Sequence, residues 1–318
     1  MKSSVIGEPA EYVANCLELA ILLEVSAYPK PGNIHRTADF EQTKYEHFLV
    51  SAIAAAPSFR FAAEQGIKVS GEMIRCQEVG IGNIIRQAVV NIGAWQKGGN
   101  TLLGSVILLS PIAVAAGMLL NKHPFSITRL RKELKTVTEA STPEDAVAVF
   151  DAITAADPSG LGRVPRLDVN DPASRKRIED NQMTLHEVFK IASTYDSIAS
   201  EWVNNYPIAF DLGYPYFIQQ LKSIEDINTV TVHTFLKILS LVPDTLIARK
   251  RGVAEARRVS REAHQVLAKG GLTTRPGRTR LRNFDERLRD PRHTLNPGTT
   301  ADLVQAVLAI ALLQGHRL

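Results

Sequence analysis

The chain has 318 residues, of which 45% are hydrophobic and 22% charged, the balance of a soluble globular protein with a large core. Two cysteines, Cys16 and Cys76, exclude a disulfide framework and a cysteine metal site, and the first residues lack the apolar run of a secretory leader, so a cytoplasmic protein is expected. Sparse aromatics (6%) and abundant alanine and leucine favour helices over sheets, while a net charge of +4 favours anionic partners without choosing among nucleotides, nucleic acid and membranes.

The first predicted element is a helix with Val13, Leu17, Ala20 and Glu24 on one face, placing a carboxylate at the end of an apolar stripe. A charge there is costly unless it is paired or has a chemical task. Cys16 beside Leu17 reads as a buried free thiol. The segment Glu24-Val-Ser-Ala-Tyr-Pro-Lys-Pro-Gly-Asn-Ile-His-Arg36 follows. Its prolines stop the helix, Gly32 permits a turn, and Lys30, Asn33, His35 and Arg36 give it far more polar groups than a turn requires.

The pattern then predicts a helix over 45–65, capped by Thr37 or Asp39, interrupted at Pro57 and ended by Gly66. A second helix is expected over 70–95, with Gly80 and Gly82 as a potential break. Lys97-Gly-Gly-Asn-Thr-Leu-Leu-Gly104 opens an uncharged run over 101–120. That run is long enough to cross a bilayer, but its Gly, Ser and Pro content and the lack of a second such span favour a buried central helix. Asn100 and Thr101 stand at its N-terminus, where free N–H groups attract anions and where Asn100 also serves as a simple cap.

Two helices are predicted over 124–156, with Ser141-Thr-Pro-Glu144 as the cap between them. The breaker-rich stretch 157–172 is a domain boundary, a lid or an active-site loop, and its Gly-Leu-Gly is no dinucleotide fingerprint. Helices resume over 175–204, a turn is expected over 207–216, and helices continue to Leu241. Asp244 lies at a helix start ahead of Arg249, Lys250 and Arg251. The arginine-rich stretch from Arg275 to Arg292, with Asp285, Glu286 and Asp290, reads as a solvated face. The last helix opens with Asn296-Pro-Gly-Thr-Thr-Ala-Asp302, where Thr299 and Asp302 fit a capping box, and continues apolar on nearly every side to Leu313. The whole is an all-α, multi-helix bundle around buried apolar central helices, a single catalytic domain over 1–318 with a boundary or loop near 157–172. The apolar runs 101–120 and 303–313 serve either as core or as the seam of a homodimer.

Four of these segments, Glu24 to Arg36, Gly98-Gly-Asn-Thr with Gly104, Gly270-Gly271 with Thr273, and Asn296 to Leu303, occur together in an order that resembles the triphosphoribosyl-dephospho-CoA synthase family. The resemblance spans about 24–303 and rests on the joint order of the motifs. It implies an all-helical transferase in which the ribose 2′-hydroxyl of dephospho-CoA attacks the anomeric carbon of ATP and adenine leaves. Two slots depart from the bacterial pattern, which usually carries Asp where this chain has His35 and His-Lys where it has Leu102-Leu103. In this the chain looks like the variant of archaea and one-carbon-metabolising bacteria, so the acceptor stays open between dephospho-CoA and a pterin-type cofactor precursor.

Cleaving an N-glycosidic bond builds positive charge at the anomeric carbon, which a neighbouring carboxylate stabilises. Glu24, Asp244 and Asp302 are the candidates, and one of them or His35 supplies the general base. The triphosphate requires Lys30, Arg36, Arg249 and Lys250, with Asn33, Asn100, Thr101 and Asn296 as neutral nucleotide-binding groups. Magnesium accompanying ATP would use Asp244 or Asp302. A basic helical nucleic-acid-binding protein is the reading from another class. The arginines lack interleaved aromatics and no base-reading motif is present, so neither nucleic acid nor membrane is expected as a partner.

Overall fold

The computed structural model describes residues 8–120, 125–158 and 166–316, and among these there are fifteen α-helices and no named strand. In chain order they are α1 (Pro9–Ser26), α2 (Tyr45–Ser70), α3 (Ile81–Trp95), α4 (Leu103–Leu119), α5 (Ile127–Glu139), α6 (Pro143–Ala156), α7 (Pro172–Asp180) and α8 (Leu185–Ala192). They continue as α9 (Ser197–Val203), α10 (Tyr214–Leu221), α11 (Ile227–Leu241), α12 (Thr245–Arg251), α13 (Val253–Ala268), α14 (Arg275–Leu288) and α15 (Gly298–Leu313). The expected all-helical class is thus the observed one.

Two helices form the axis. In α4 every residue except Gly104 is buried, and in α15 every residue except Gly298 and Asp302. Helices apolar on all sides belong in the middle of a protein, surrounded by others. Here α4 packs on α2, α5, α15 and α1, and α15 packs on α1, α4, α11 and α10. Among the described residues no single helix is long and apolar enough to cross a membrane. The three exceptions to burial all line one cavity, so the axis breaks its apolar pattern only where the site is built.

Several expected boundaries move. Gly66 does not end α2, which continues through Pro57 and Gly66 to Ser70. A Cβ at Gly66 would lie 2.0 Å from the Val114 carbonyl oxygen, and one at Gly117 2.1 Å from that of Ala63. The two glycines therefore serve a backbone-to-backbone crossing of α2 and α4, not a stop. The helix expected over 70–95 is divided: Cys76–Glu78 makes a single 3₁₀ turn, Gly80 takes a left-handed φ of 66°, and α3 starts at Ile81. The 207–216 turn is instead a π-helical segment, Ile208–Gly213, running directly into α10. Its wide turn leaves amide N–H groups at Ile208 and Ala209, which donate to the buried Glu201 carboxylate at 2.8 and 2.9 Å. Burial pushes that carboxyl up to about 7 against these two bonds.

The capping residues also differ. Thr142 caps α6 with Pro143 in the first turn, as expected. At α2 the cap position is Lys44, and Asp39 reaches in from outside, accepting from the Tyr45 N–H at 2.8 Å. Helix α15 has no capping box: Asp302 turns away toward α4. The Asp244 carboxylate takes over, accepting from the Thr300 N–H (2.7 Å) and hydroxyl (2.8 Å) while capping its own helix at Leu246 (2.9 Å) and Ile247 (3.1 Å). One carboxylate thus joins the starts of α12 and α15. Cys16 is buried and free, and burial raises its thiol to about 11.

The crossing gives a paired stability test. Gly66→Ala must push two helix backbones apart and should cost about 2–3 kcal/mol, the scale of overpacking in a core. Gly93→Ala, in α3 with nothing within 4 Å of the added Cβ, should gain about 0.5–1 kcal/mol. Thermal unfolding of the two variants should move the midpoint in opposite directions; equal midpoints would remove the crossing argument.

Candidate active site

The cavity encloses about 660 Å³ and is reached by α1, α4, α12, α15 and the loops between them. Its floor is a charged cluster. After α1 ends, the chain passes a cis Tyr28–Pro29 peptide and turns at Gly32, whose φ is +70°. The turn is seated by a hydrogen bond from the Gly32 N–H to Asp285 at 2.8 Å, and a Cβ there would lie 2.6 Å from that of Leu288. This return brings Lys30 back over the last turn of α1, where its Nζ lies 2.5 Å from Glu24 Oε1. Both side chains are 1% exposed. Burial draws the Lys30 ammonium below its usual range, opposed by the adjacent Glu24 carboxylate. The other Glu24 oxygen accepts from Gln305 Nε2 at 3.2 Å, leaving Gln305 Oε1 buried with no protein partner.

Asp302 stands beside this pair, one turn inside α15, and its Oδ1 accepts from the Ser105 hydroxyl on α4. Gly104 permits the approach, because a Cβ at that position would lie 2.2 Å from Asp302 Oδ2. The side chain opens only into the cavity. Desolvation raises the carboxyl to about 8 despite the Ser105 bond, with the Glu24, Asp244 and Asp196 charges adding to the rise. That rise favours the protonated carboxyl at neutral pH.

The remaining walls are amides, hydroxyls and cations. Asn100 Oδ1 accepts from the Leu103 N–H at 3.0 Å and Thr101 bonds Ser51 at 2.7 Å, so the two residues stand at the positive end of α4. Arg249 and Lys250 come from α12. Arg249 is ion-paired to Asp196, the cap of α9, and its Nε is buried without a partner. Burial and Arg249 lower the Lys250 ammonium. Asn33 and Asn296 also line the cavity, as does His293, which stacks on Phe40 with ring centroids 3.8 Å apart.

Nine of the twelve residues expected in a site line this one cavity: Glu24, Lys30, Asn33, Asn100, Thr101, Arg249, Lys250, Asn296 and Asp302. His35, Arg36 and Asp244 do not. His35 is buried behind the loop, its Nε2 3.0 Å from Arg289 and its Nδ1 3.1 Å from the Thr37 hydroxyl. Burial and the Arg289, Lys30 and Arg36 charges lower it to about 3, which leaves a neutral ring with both nitrogens engaged and no access to the cavity. Arg36 lies over the Tyr28 ring at 4.1 Å on the outer side of the loop. Asp244 does not line the cavity, and its carboxylate accepts four hydrogen bonds at the starts of α12 and α15. Among the described residues no group of three or more His, Cys, Asp or Glu could hold a metal.

Gln305, Ser105, Asp196 and His293 also line or support the cavity without having been marked in the sequence. Gln305 carried a signal: it is the one polar residue within the apolar body of α15, three positions after Asp302 and so on the same face. Of the 157–172 stretch, Arg166 to Val169 line the cavity; its Gly-Leu-Gly lies outside the described residues.

Comparison with known proteins identifies the family. The chain is 23% identical over 301 residues to the 2-(5''-triphosphoribosyl)-3'-dephosphocoenzyme-A synthase of Klebsiella pneumoniae, covering 93% of this chain and 88% of that one. It is 22% identical over 297 residues to the probable synthase of that name from Streptococcus mutans, covering 93% and 94%. The fold matches, at a TM-score of 0.61 and 22% identity, the crystal structure of an Archaeoglobus fulgidus protein provisionally named a triphosphoribosyl-dephospho-CoA synthase, over 85% of this chain and all of that one. The signature of the family described as ATP:dephospho-CoA triphosphoribosyl transferase runs through residues 10–318, from the helix that delivers Glu24 to the one that delivers Asp302, and the chain belongs to that transferase family.

Proposed function

We propose that the protein transfers the triphosphoribosyl group of ATP to a hydroxyl of an acceptor, with adenine leaving. The observation that carries this reading is the floor of the cavity, where Glu24 is fixed by Lys30 and Gln305 beside the raised carboxyl of Asp302. A fixed carboxylate next to the anomeric carbon offsets the positive charge that builds there as the bond to adenine lengthens. In this mechanism Asp302 gives its proton to the departing adenine, the acceptor oxygen bonds to the anomeric carbon, and the acceptor's hydroxyl proton returns to Asp302. Arg249 and Lys250 hold the triphosphate. Magnesium enters this account with ATP, as a counter-ion to its phosphates, since the residues present do not form a metal cage, and no step is routed through it.

Dephospho-CoA is the acceptor that the family description names. A second reading keeps the donor chemistry and changes the acceptor to a pterin-type cofactor precursor. It is favoured by Leu103, which lines the cavity in a slot where the bacterial pattern is polar, and by the apolar wall of Ile107, Phe150 and Val188 beyond it.

Chromatography of adenine released from ATP, with and without dephospho-CoA, tests the first reading. Release only with dephospho-CoA is expected. Glu24→Gln should then slow turnover by about 10²–10³-fold with ATP binding kept. ATP bound without adenine release on dephospho-CoA would favour the second reading, and absence of ATP binding would overturn both.

Asp302 gives a pH test with two readouts. Activity requires its protonated form, so kcat/KM should fall as pH rises through about 8, and Asp302→Asn should cost about 10²–10⁴-fold. Its folded pKa lies above the unfolded carboxylate value, so its contribution to stability is full below pH 4 and is lost as pH rises through about 8. Unfolding midpoints at pH 5 and 8 should therefore differ less in Asp302→Asn than in the wild type. An equal difference would show that Asp302 does not titrate in this range.

A further inference from the structure

The outer face of the Tyr28–Arg36 loop borders a second cleft, between the start of α14 and the start of α11. It encloses about 570 Å³, and no carboxylate lines it. Arg275, Arg278 and Arg282 lie on one face of α14, spaced by three and four residues, and all three are exposed. Among the described residues none of them has a carboxylate within ion-pairing distance, whereas Arg287 on the same helix and Arg289 just after it are paired to Glu262 and Asp285. Arg280 turns to the other side and bonds Gln265.

This placement is electrostatically unfavourable without a ligand. Arg275 and Arg278 sit in the first turns of α14, which has no acidic residue there, so like charges crowd the positive end of the helix dipole. Across the cleft, Asn228 and Thr229 open α11, and Asn228 is locked to Tyr28 by two 2.8 Å bonds, from the Tyr28 N–H and to the Tyr28 carbonyl. Asp226, the cap of α11, accepts from the Thr229 hydroxyl at 2.6 Å and is lowered by that bond and by the Arg36 charge, so the donors left to a ligand are those of α14. Rigid walls, three guanidiniums without acid partners and the Thr279 hydroxyl are the chemistry that recognises clustered phosphate oxygens.

We propose that this cleft is a second, non-catalytic anion site that binds the polyphosphate group of a small phosphorylated ligand. It is formed by the loop that carries Lys30 into the catalytic cavity, and it does not depend on the proposed reaction, because its test reads binding alone.

The test is calorimetric titration of tripolyphosphate into the full chain. Two binding events are expected in the wild type. Arg275→Gln/Arg278→Gln/Arg282→Gln should weaken one of them at least tenfold, and Arg249→Gln/Lys250→Gln should weaken only the other. Because Arg278 also bonds the Leu272 carbonyl at 2.9 Å, Arg275→Gln/Arg282→Gln serves as a second variant that leaves that bond intact and should show the same selective loss. In phosphate-free buffer the double variant should melt at a higher temperature than the wild type, and tripolyphosphate should close the gap. A single event that survives both cleft variants overturns the proposal. So does tighter, steeply salt-dependent binding of an oligonucleotide at these arginines, which would make the face a nucleic-acid surface.

Discussion

The constraint on which the site depends is the wholly buried pair of Glu24 and Lys30. Taking two charges out of water costs several kcal/mol for each, and their attraction offsets this only when geometry and further hydrogen bonds are good. The chain supplies both within one short segment. Helix α1 carries the carboxylate in its last turn, the proline-stiffened loop returns the ammonium to it, and Gln305 arrives from α15 to bond the second oxygen. Losing either charge would strand the other at a cost of about 3–5 kcal/mol, so the loop's rigidity and the position of α15 are tied to the same pair.

Much of this was legible in the sequence because the polar residues stood out against apolar periodicity. Glu24 ended a stripe, Asp302 opened a helix too greasy for an ordinary cap, and both reached the cavity floor. What was not legible depended on which side of a segment faces inward. His35 and Arg36 share a loop with Lys30 and Asn33 but point behind it and outside it, a consequence of a turn geometry that spacing does not encode. Asp244 was recognised as a helix-start carboxylate, yet its second role, capping α15 from another helix, comes from packing between segments distant in sequence. Gly66 likewise read as a stop because its partner, Val114 on α4, lies across a helix crossing.

The raised carboxyl of Asp302 follows from where α15 begins. The helix starts at Gly298, so Asp302 lies past the first turn, whose free N–H groups would lower the pKa of a carboxylate placed there. Desolvation, with the neighbouring Glu24, Asp244 and Asp196 charges adding to it, raises the carboxyl to about 8 against the single Ser105 bond. Asp244 has a part in this twice over: it occupies the Thr300 N–H that would otherwise be free for a carboxylate on α15, and its own charge opposes ionisation of Asp302.

Such an arrangement separates charge along the cavity. Helix α12 presents Arg249 and Lys250 to anions, while the floor, where α4 and α15 begin, presents a fixed carboxylate and a raised one to a centre that becomes positive. In the proposed reaction the phosphates of the donor would lie toward Arg249 and Lys250 and its anomeric carbon over Glu24. Because Asp302 is governed by nearby charge, phosphates entering beside Arg249 would favour its protonated form further, so in this reading binding of the donor helps to retain the proton that the leaving adenine needs.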